Sequence, residues 1–441
     1  MVENEVSLLN LEKHVEENFK EHPTLMTQSA TQPQKPSSVN TNWVISLFGT
    51  AVGAGILFLP INAGGFGFWP LLIATVLIGP MTYLSHRALS RIMCASPVAG
   101  ADITGVVTNY FGERAGTVIS VLYFFAIYPI VLIYGVSITN TVDSFIVNQL
   151  NGPEISRWLL SLILVGGMTL VFAFSQRLML IITQIIVYPL IVFLAAVSLY
   201  LIPQWDFESF YNAELNTAGI WAIIMILPVL VFSFNHSPAI SQFSLAMQRT
   251  WGRRSTENAS KVLAITAILL TVFTMFFVWS CALAVGGDGL AEAREQNIPV
   301  MSYIANTTGV PIMALLSPIV AILAIVSSYF GHVLGASEGA RFIVGKIAPG
   351  FTKRASSATI TNLVYAFIFL TTWAAAIANP SILSLIESIG GPFIAMILYI
   401  MPMYAIYKIP ALKRFRNTWT ALFVIITGIA AISATIVGLF L

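Results

Sequence analysis

Two apolar segments of the chain contain residues that tend to interrupt a helix. The first reads GTAVGAGILFLP over 49–60 and the second reads FSFNHSP over 232–238. Glycine lets the backbone leave helical geometry and approach a ligand closely, and proline removes a backbone donor. An interrupted helix also leaves N–H and C=O groups unpaired, and hydrocarbon cannot satisfy them. Both segments therefore predict a polar binding site built largely from backbone.

The ends of such half-helices favour charged ligands of opposite sign. A half-helix N-terminus offers free N–H groups to a carboxylate, and a C-terminus offers carbonyls to a cation or ammonium group. A site with both kinds of end suits a zwitterion, so we expect an amino acid. The alternative for Gly49 and Gly53 is a packing face of small residues, but the second break in the other half of the chain favours a binding site.

The composition identifies the environment of these segments. The chain is 57% hydrophobic and only 9% charged, whereas soluble domains carry about 25% charged residues. Apolar stretches of about 20 residues, enough to cross a bilayer, recur along the sequence. We predict a polar N-terminal tail, 1–42, and a transporter-like domain, 43–441. The eleven predicted spans are 43–63, 68–92, 116–146, 157–175, 178–202, 218–247, 259–285, 311–337, 358–378, 386–407 and 417–440.

The basic residues predict the orientation. With a cytoplasmic N-terminus, all but two of the 21 lysines and arginines fall on the inner side, and only Arg157 and Arg294 lie in outer loops. This bias is the positive-inside rule. Eleven spans then place the C-terminus outside. Cys94 and Cys281 lie on opposite sides in this topology, so no disulfide is expected between them. Asp102 suits the N-cap of a short helix at the inner surface.

The spans fall into two groups of five. The first repeat covers about 43–202, the second about 218–408, and an extra helix covers about 417–440. Five is an odd number, so the second repeat must be inverted relative to the first. The two breaks then open equivalent helices, which is the sequence signature of a secondary transporter's substrate site. The predicted fold class is an all-α polytopic membrane protein with an inverted 5+5 helix repeat and an eleventh transmembrane helix.

Five runs in order resemble one known family. They are GTAVGAGILFLPINAG (49–64), ITNT (138–141), VFSFNHSP (231–238), FGHVLGASEG (330–339) and NPSILSLIESIGGPFIAMIL (379–398). Together they resemble the bacterial hydroxy/aromatic amino acid permeases, and among these the serine permeases. The resemblance covers nearly all of the chain after residue 42. It implies the LeuT-type fold of the amino acid–polyamine–organocation superfamily and cation-coupled uptake of L-serine, usually with protons, across a bacterial inner membrane.

The two breaks supply the expected substrate site. His236 bears on specificity, because serine permeases resemble this chain in placing His after Asn, whereas threonine permeases carry Phe there. A histidine could hydrogen-bond the serine hydroxyl, or it could be a helix-break residue satisfied by carbonyls. The predicted substrate-binding residues are Thr50, Ala51, Gly53, Ala54, Gly55, Phe232, Ser233, Phe234, Asn235, His236 and Ser237.

A second set of residues could hold a cation or relay protons. In LeuT-type transporters the eighth helix faces the first break, and hydroxyls there complete a sodium site. The resembling permeases carry lysine where Ser327 stands, so the coupling ion remains open between H⁺ and Na⁺. Glu387 could gate or relay protons from an outer vestibule, or be an interfacial carboxylate. The predicted residues of this set are Val52, Ser327, Ser328, His332 and Glu387.

Enzyme chemistry has little support in the sequence. Gly335–Gly339 matches the G-x-S-x-G nucleophile elbow, but no histidine follows Ser337, and the motif requires a strand before it. Gly331, Gly335 and Gly339 instead form a helix-packing ladder. No Walker A sequence or H-E-x-x-H motif is present. We therefore expect no enzyme, no cofactor other than the coupling ion, and no nucleic-acid partner.

The expected function is import of L-serine by alternating access, with spans one, two, six and seven rocking against the rest. The partners are then the amino acid, the coupling cation and membrane lipid. The alternatives are symport of threonine or another small neutral or aromatic amino acid, coupled to sodium. A further alternative is an amino-acid receptor on the same fold that binds without transport.

Overall fold

The computed structural model describes residues 36–98, 100–174, 176–208 and 217–438. These residues form fifteen helices and contain no strand. In chain order the helices are α1 (Pro36–Ala51), α2 (Ala54–Leu59), α3 (Phe68–Cys94), α4 (Ile103–Ser144), α5 (Arg157–Phe174), α6 (Gln176–Leu201), α7 (Thr217–Ser233), α8 (Ser237–Trp251), α9 (Ser255–Glu295), α10 (Val300–Thr307), α11 (Pro311–Ile347), α12 (Pro349–Arg354), α13 (Ser357–Ala378), α14 (Ile382–Lys408) and α15 (Thr418–Gly438).

Eight helices in the described residues are long and apolar enough to cross a membrane, or nine if the bent pair α1–α2 is one span. Two predicted spans contain shorter apolar helices, Arg157–Ala173 and Trp221–Ser233. The count is below eleven because α5 and α7 are short, and because α8 continues into α9 with only a 3-10 turn between them. Each predicted span nevertheless contains helix. The tail 1–35 lies outside the described residues, and α1 begins at Pro36, ahead of the predicted start at residue 43.

Both predicted breaks are present. Helix α1 ends at Ala51, α2 starts at Ala54, and their axes differ by 50°. Gly53 between them has an extended backbone with φ −149° and ψ −154°. The second break separates α7 from α8 at residues 234–236. Proline lies on the C-terminal side of each break, Pro60 in a π-turn after α2 and Pro238 in the first turn of α8.

The short helix predicted after residue 100 also forms. The Asp102 side chain accepts a hydrogen bond from the Gly105 N–H at 2.9 Å, which caps α4. Gly112 has φ +79°, so the chain turns there from a short first helix into the long remainder of α4. This turn requires glycine, because the left-handed region is costly for other residues. Cys94 and Cys281 are both buried and free.

Helix α11 lies at the centre of the packing that positions the breaks. Its ladder of Gly331, Gly335 and Gly339 lets three other helices approach closely. A Cβ at Gly331 would lie 3.3 Å from Thr50 on α1, and one at Gly335 would lie 3.1 Å from Pro238 on α8. A Cβ at Gly339 would lie 3.0 Å from Phe124 on α4. The ladder therefore brings both broken helices and α4 against one face of α11.

Candidate functional site

The first break is joined to α11 and α4 by hydroxyl groups. The Ser328 hydroxyl donates to the Thr50 carbonyl at 2.8 Å. The Tyr134 hydroxyl lies 2.7 Å from Ser328 Oγ. An ideal Cβ at Gly53 would lie 2.5 Å from both Cβ and Oγ of Ser328. Gly53 therefore permits the close approach of α11 to the unwound backbone. Ala51 and Val52, which precede Gly53, are both buried.

The start of α2 is a buried helix N-terminus. The first four N–H groups of a helix lack partners within it. Ile56 N–H reaches the Gly53 carbonyl at 3.2 Å, and no side chain caps this end. Ala54 and Gly55 follow directly and are fully enclosed. Their N–H groups and the helix dipole make this end suited to a carboxylate.

The second break differs from the first, because its own residues satisfy the start of α8. The Asn235 side-chain oxygen accepts from the Ser237 N–H at 3.0 Å. Pro238 has no N–H, and the Ala239 N–H reaches the His236 carbonyl at 3.1 Å. In the described residues, the start of α8 therefore has a partner within its own break, whereas no side chain caps the start of α2.

Three polar side-chain atoms at the second break are buried without a hydrogen-bond partner among the described residues. They are Ser233 Oγ, Asn235 Nδ2 and His236 Nε2. Buried polar groups in proteins are nearly always paired, and an unpaired one costs about 1–3 kcal/mol. Three such groups within four residues indicate a site that a polar ligand completes.

His86 on α3 also belongs to this site, although the sequence did not single it out. Its ring stacks on that of His236 with centroids 3.6 Å apart and planes 11° from parallel. His86 Nε2 accepts from the His236 N–H at 3.1 Å, and His86 Nδ1 lies 2.8 Å from the Thr82 carbonyl. His236 Nδ1 lies 3.1 Å from the Phe234 carbonyl. These contacts place a proton on each Nδ1 and leave His236 Nε2 as an unpaired acceptor.

The two breaks lie against each other. A Cβ at Gly55 would be 2.7 Å from the Phe232 ring and 2.8 Å from Ser233 Cα. A Cβ at Gly390 on α14 would be 2.9 Å from the same ring. Phe232 therefore fills the space between α2 and α14, while Phe234 is buried on the other side of Ser233. The start of α2 therefore packs directly against the segment that carries the unpaired groups of the second break.

The predicted cation or proton residues are only partly brought together. Ser328 and His332 lie one turn apart on α11, with His332 Nδ1 2.8 Å from the Ser328 carbonyl and 3.4 Å from its hydroxyl. Val52 is buried beside them in the first break. Ser327 is different, because its hydroxyl donates back to Ala324 on its own helix at 3.1 Å. Over the described parts of the chain, no three His, Cys, Asp or Glu residues form a metal site.

Glu387 lies in a π-turn of α14. Asn62, in the turn after α2, donates to its carboxylate at 2.8 Å. Arg294 of α9 donates to both carboxylate oxygens at 3.1 Å. Neither partner was predicted from the sequence, which gives no sign that these three segments meet. We call Asn62, Arg294 and Glu387 the outer cluster.

The G-x-S-x-G sequence is part of a continuous helix. Residues 335–339 lie within α11, and the Ser337 hydroxyl donates to the Leu334 carbonyl at 2.8 Å. A nucleophile elbow needs a strand-to-turn-to-helix geometry, which is absent at this position. Ser337 is therefore not placed for nucleophilic chemistry.

Comparison with known proteins agrees with this geometry. Residues 35–440 match the tryptophan/tyrosine permease family. The serine transporter SdaC of Escherichia coli K12 is 44% identical over 425 residues, which cover 94% of this chain and 99% of that protein. The threonine/serine transporter TdcC of Escherichia fergusonii is 38% identical over 423 residues, covering 91% and 96% of the two chains.

A solved structure shares the fold. The crystal structure of MhsT in complex with L-phenylalanine superposes with a TM-score of 0.54 at 14% identity, covering 93% of this chain and 98% of that one. That protein has the LeuT fold, so the predicted inverted 5+5 repeat with an eleventh helix is confirmed. The predicted family and the prediction that the chain is not an enzyme are also confirmed. The chain is a multi-pass membrane protein that transports amino acids and belongs to the tryptophan/tyrosine permease family.

Proposed function

We propose that this transporter imports L-serine together with protons across a bacterial inner membrane. The observation that carries the proposal is the set of three unpaired, buried groups at the second break, Ser233 Oγ, Asn235 Nδ2 and His236 Nε2. They lie beside a helix N-terminus that no side chain caps. A small amino acid with a hydroxyl side chain has groups that complement both features.

The substrate pose follows from the donors and acceptors available. The serine carboxylate binds the N–H groups at Ala54 and Gly55, where the dipole of α2 favours negative charge. The ammonium group binds carbonyls at the ends of α1 and α7, where the dipole has the opposite sign. The hydroxyl donates to His236 Nε2 and accepts from Asn235 Nδ2.

The packing around Phe232 favours a small substrate over an aromatic one. Phe232 already packs against the positions of Gly55 and Gly390, where even a Cβ would lie within 3 Å of its ring. An indole or phenol ring would have to displace this side chain. Serine and threonine differ by one methyl group, which a pocket discriminates by only about 1–3 kcal/mol. The similarity to a serine transporter and to a threonine/serine transporter supports the same substrate class.

The arrangement on α11 favours a proton over sodium as the coupling ion. The Ser328 hydroxyl donates to the Thr50 carbonyl, so the two oxygens that would share a sodium ion are hydrogen-bonded directly. Ser327 binds its own helix instead of facing the break. Ser328, Tyr134 and His332 form a group of hydroxyls and an imidazole that can exchange protons.

Alternating access follows from how the broken helices pack. Helices α1–α3 and α7–α9 rock against α4 and α11. The substrate site lies at the two helix breaks, which face α11. The distribution of lysine and arginine supports a cytoplasmic N-terminus and an outer C-terminus. Serine then enters from the outer face and leaves at the basic, inner end.

Uptake of radiolabelled L-serine by proteoliposomes tests the proposal, with proton and sodium gradients imposed separately. We expect accumulation with an inward proton gradient, competition by threonine, and none by tryptophan. Asn235→Ala should abolish uptake and also the stabilisation of the protein by serine. Accumulation driven only by sodium would overturn the proton assignment. Serine binding without counterflow would show a receptor, and competition by aromatic amino acids alone would overturn the substrate.

A further inference from the structure

Glu338 is an acidic residue that belongs neither to the predicted site nor to the proposed substrate-binding groups. It lies on α11, toward the end of the helix that the basic residues assign to the cytoplasm. Its Oε2 atom is buried and has no hydrogen-bond partner among the described residues. Its Oε1 accepts one long hydrogen bond, 3.4 Å, from the Gln242 side chain of α8. Glu338 takes part in none of the ion pairs that the described residues form.

The groups around Glu338 do not favour a negative charge there. The carboxylate of Asp102, at the N-cap of α4, repels negative charge at this position. Arg341 on the same helix attracts it but acts more weakly than Asp102. Tyr123 of α4 is buried, and its hydroxyl has no partner among the described residues. The Glu338 side chain is half-buried and Gln242 is exposed, but a carboxylate oxygen that is buried without a partner, as Oε2 is, favours the neutral form of the group.

Glu338 also lies where the two moving parts of the transporter meet. Gln242 belongs to α8, in the rocking group, and Glu338 belongs to α11, in the scaffold. The neighbouring Ser241 hydroxyl accepts from the Ile103 N–H of α4 at 3.0 Å, so α8 is held closed against the scaffold here. Gly335, one turn before Glu338, lets Pro238 of α8 and the Tyr123 hydroxyl approach within about 3 Å of its Cβ position. Opening the inner end must separate these contacts and let water reach the buried Oε2 atom of Glu338.

We propose that Glu338 releases the coupling proton to the cytoplasm. The carboxyl group receives one proton from the outer side while the inner end is closed and its Oε2 atom is shielded from water. When α8 moves away from α11, water solvates Oε2, and the O–H bond breaks to give a carboxylate and a hydronium ion in the cytoplasm. The inner end closes again with Glu338 ionised, and the next proton arrives from the outer side, so each cycle carries one proton inward.

The proton reaches Glu338 along the inner half of α11. Ser328 and His332 lie on the same helix, outward of Glu338 and next to the first break. Tyr134 and Tyr123, both of α4, place hydroxyl groups beside this helix at the level of Ser328 and of Gly335. This inference rests on the proposed proton-coupled import of serine.

Glu338→Gln tests the proposal, because it keeps the shape of the side chain but cannot give up a proton. In proteoliposomes with a gradient of about one pH unit, the wild type should accumulate serine about tenfold at one proton per serine. Glu338→Gln should lose this accumulation yet retain serine counterflow at equal pH. Glu338→Asp should recover part of the accumulation. The matched control is Glu257→Gln, an exposed glutamate of α9 paired with Lys261, which should behave as the wild type.

A second measurement does not depend on transport. The infrared spectrum of the wild type near neutral pH should contain the C=O stretch of a protonated carboxyl group, and Glu338→Gln should lack it. A missing band in the wild type would overturn the inference. So would accumulation by Glu338→Gln equal to that of the wild type. If the wild type shows no serine counterflow, the proposed function fails instead, and the infrared band still decides whether Glu338 is protonated.

Discussion

The rings of His86 and His236 stack face to face with their centroids 3.6 Å apart, and this contact joins α3 to the second helix break. The His236 N–H donates to His86 Nε2 at 3.1 Å, so one imidazole satisfies the unwound backbone of the other. The ring of His236 is thereby held with Nε2 unpaired. We infer that His86 positions His236 for the hydroxyl of the substrate.

His236→Phe should therefore weaken serine binding and lower the preference for serine over alanine, which lacks the hydroxyl. The substitution removes the acceptor for the substrate hydroxyl, which contributes about 0.5–1.5 kcal/mol, or up to about tenfold in affinity. The measurement is uptake of each amino acid in competition with the other. An unchanged ratio of serine to alanine uptake would contradict the assignment of the hydroxyl to His236.

His86→Leu should act through His236 and through stability. It leaves the His236 N–H buried without an acceptor, at a cost of about 1–3 kcal/mol. His86→Gln should be milder, because a glutamine side-chain oxygen can accept from the same N–H group. Thermal unfolding with and without serine separates the two effects. Equal melting temperatures for the two variants would show that the hydrogen bond to His236 does not stabilise the break.

Gly53→Ala should abolish uptake while the protein still reaches the membrane. The added Cβ would lie 2.5 Å from Ser328 and 2.9 Å from the Tyr134 hydroxyl. Overpacking of this kind costs about 1–3 kcal/mol, which corresponds to a factor of about 5 to about 150. Gly167→Ala is the matched control, because its Cβ meets nothing within 4 Å. Full uptake by Gly53→Ala would remove the first break from the site.

Ser327→Ala and Ser328→Ala should differ sharply although the residues are adjacent. The Ser328 hydroxyl connects the Thr50 carbonyl with Tyr134, so its loss leaves buried groups unpaired at about 1–3 kcal/mol. The Ser327 hydroxyl bonds only to its own helix, and alanine is the better helix former. Uptake should fall for Ser328→Ala and remain near the wild-type level for Ser327→Ala. Equal losses, restored for both variants by high sodium, would indicate a sodium site instead.

The outer cluster should act as one unit. Arg294 and Glu387 are joined at 3.1 Å with 43% and 29% of their side chains exposed, and partly exposed pairs contribute about 0.2–1 kcal/mol. Arg294→Gln and Glu387→Gln should each lower uptake by up to about fivefold. The double variant should be no worse than either, because both remove the same contact.

The exposed ion pair of Glu257 and Lys261 on α9 provides a control for this comparison of single and double variants. Its variants should leave uptake unchanged, because the pair joins neighbouring turns of one helix and not separate segments. Additive losses at Arg294 and Glu387 would show that the two residues act independently. The outer cluster would then have no role in holding α2, α9 and α14 together.

Much of the fold follows from local features of the sequence. The apolar spans, the breaks at Gly53 and at Asn235, and the N-cap at Asp102 were all predicted and are all present. Each depends on the backbone chemistry of a few consecutive residues or on the length of an apolar run. The inverted repeat follows from an odd number of spans in each half. Such features need no knowledge of which helices become neighbours.

The contacts that define the site were decided by the tertiary structure. Successive residues of a helix point about 100° apart, so only the rotation of α11 determines that Ser328 faces the first break and Ser327 does not. The pairing of Glu387 with Arg294 joins residues 93 positions apart, and the stack of His86 on His236 joins residues 150 apart. The sequence determined where the backbone unwinds, whereas helix packing decided which side chains meet there, because packing depends on the whole set of neighbouring surfaces.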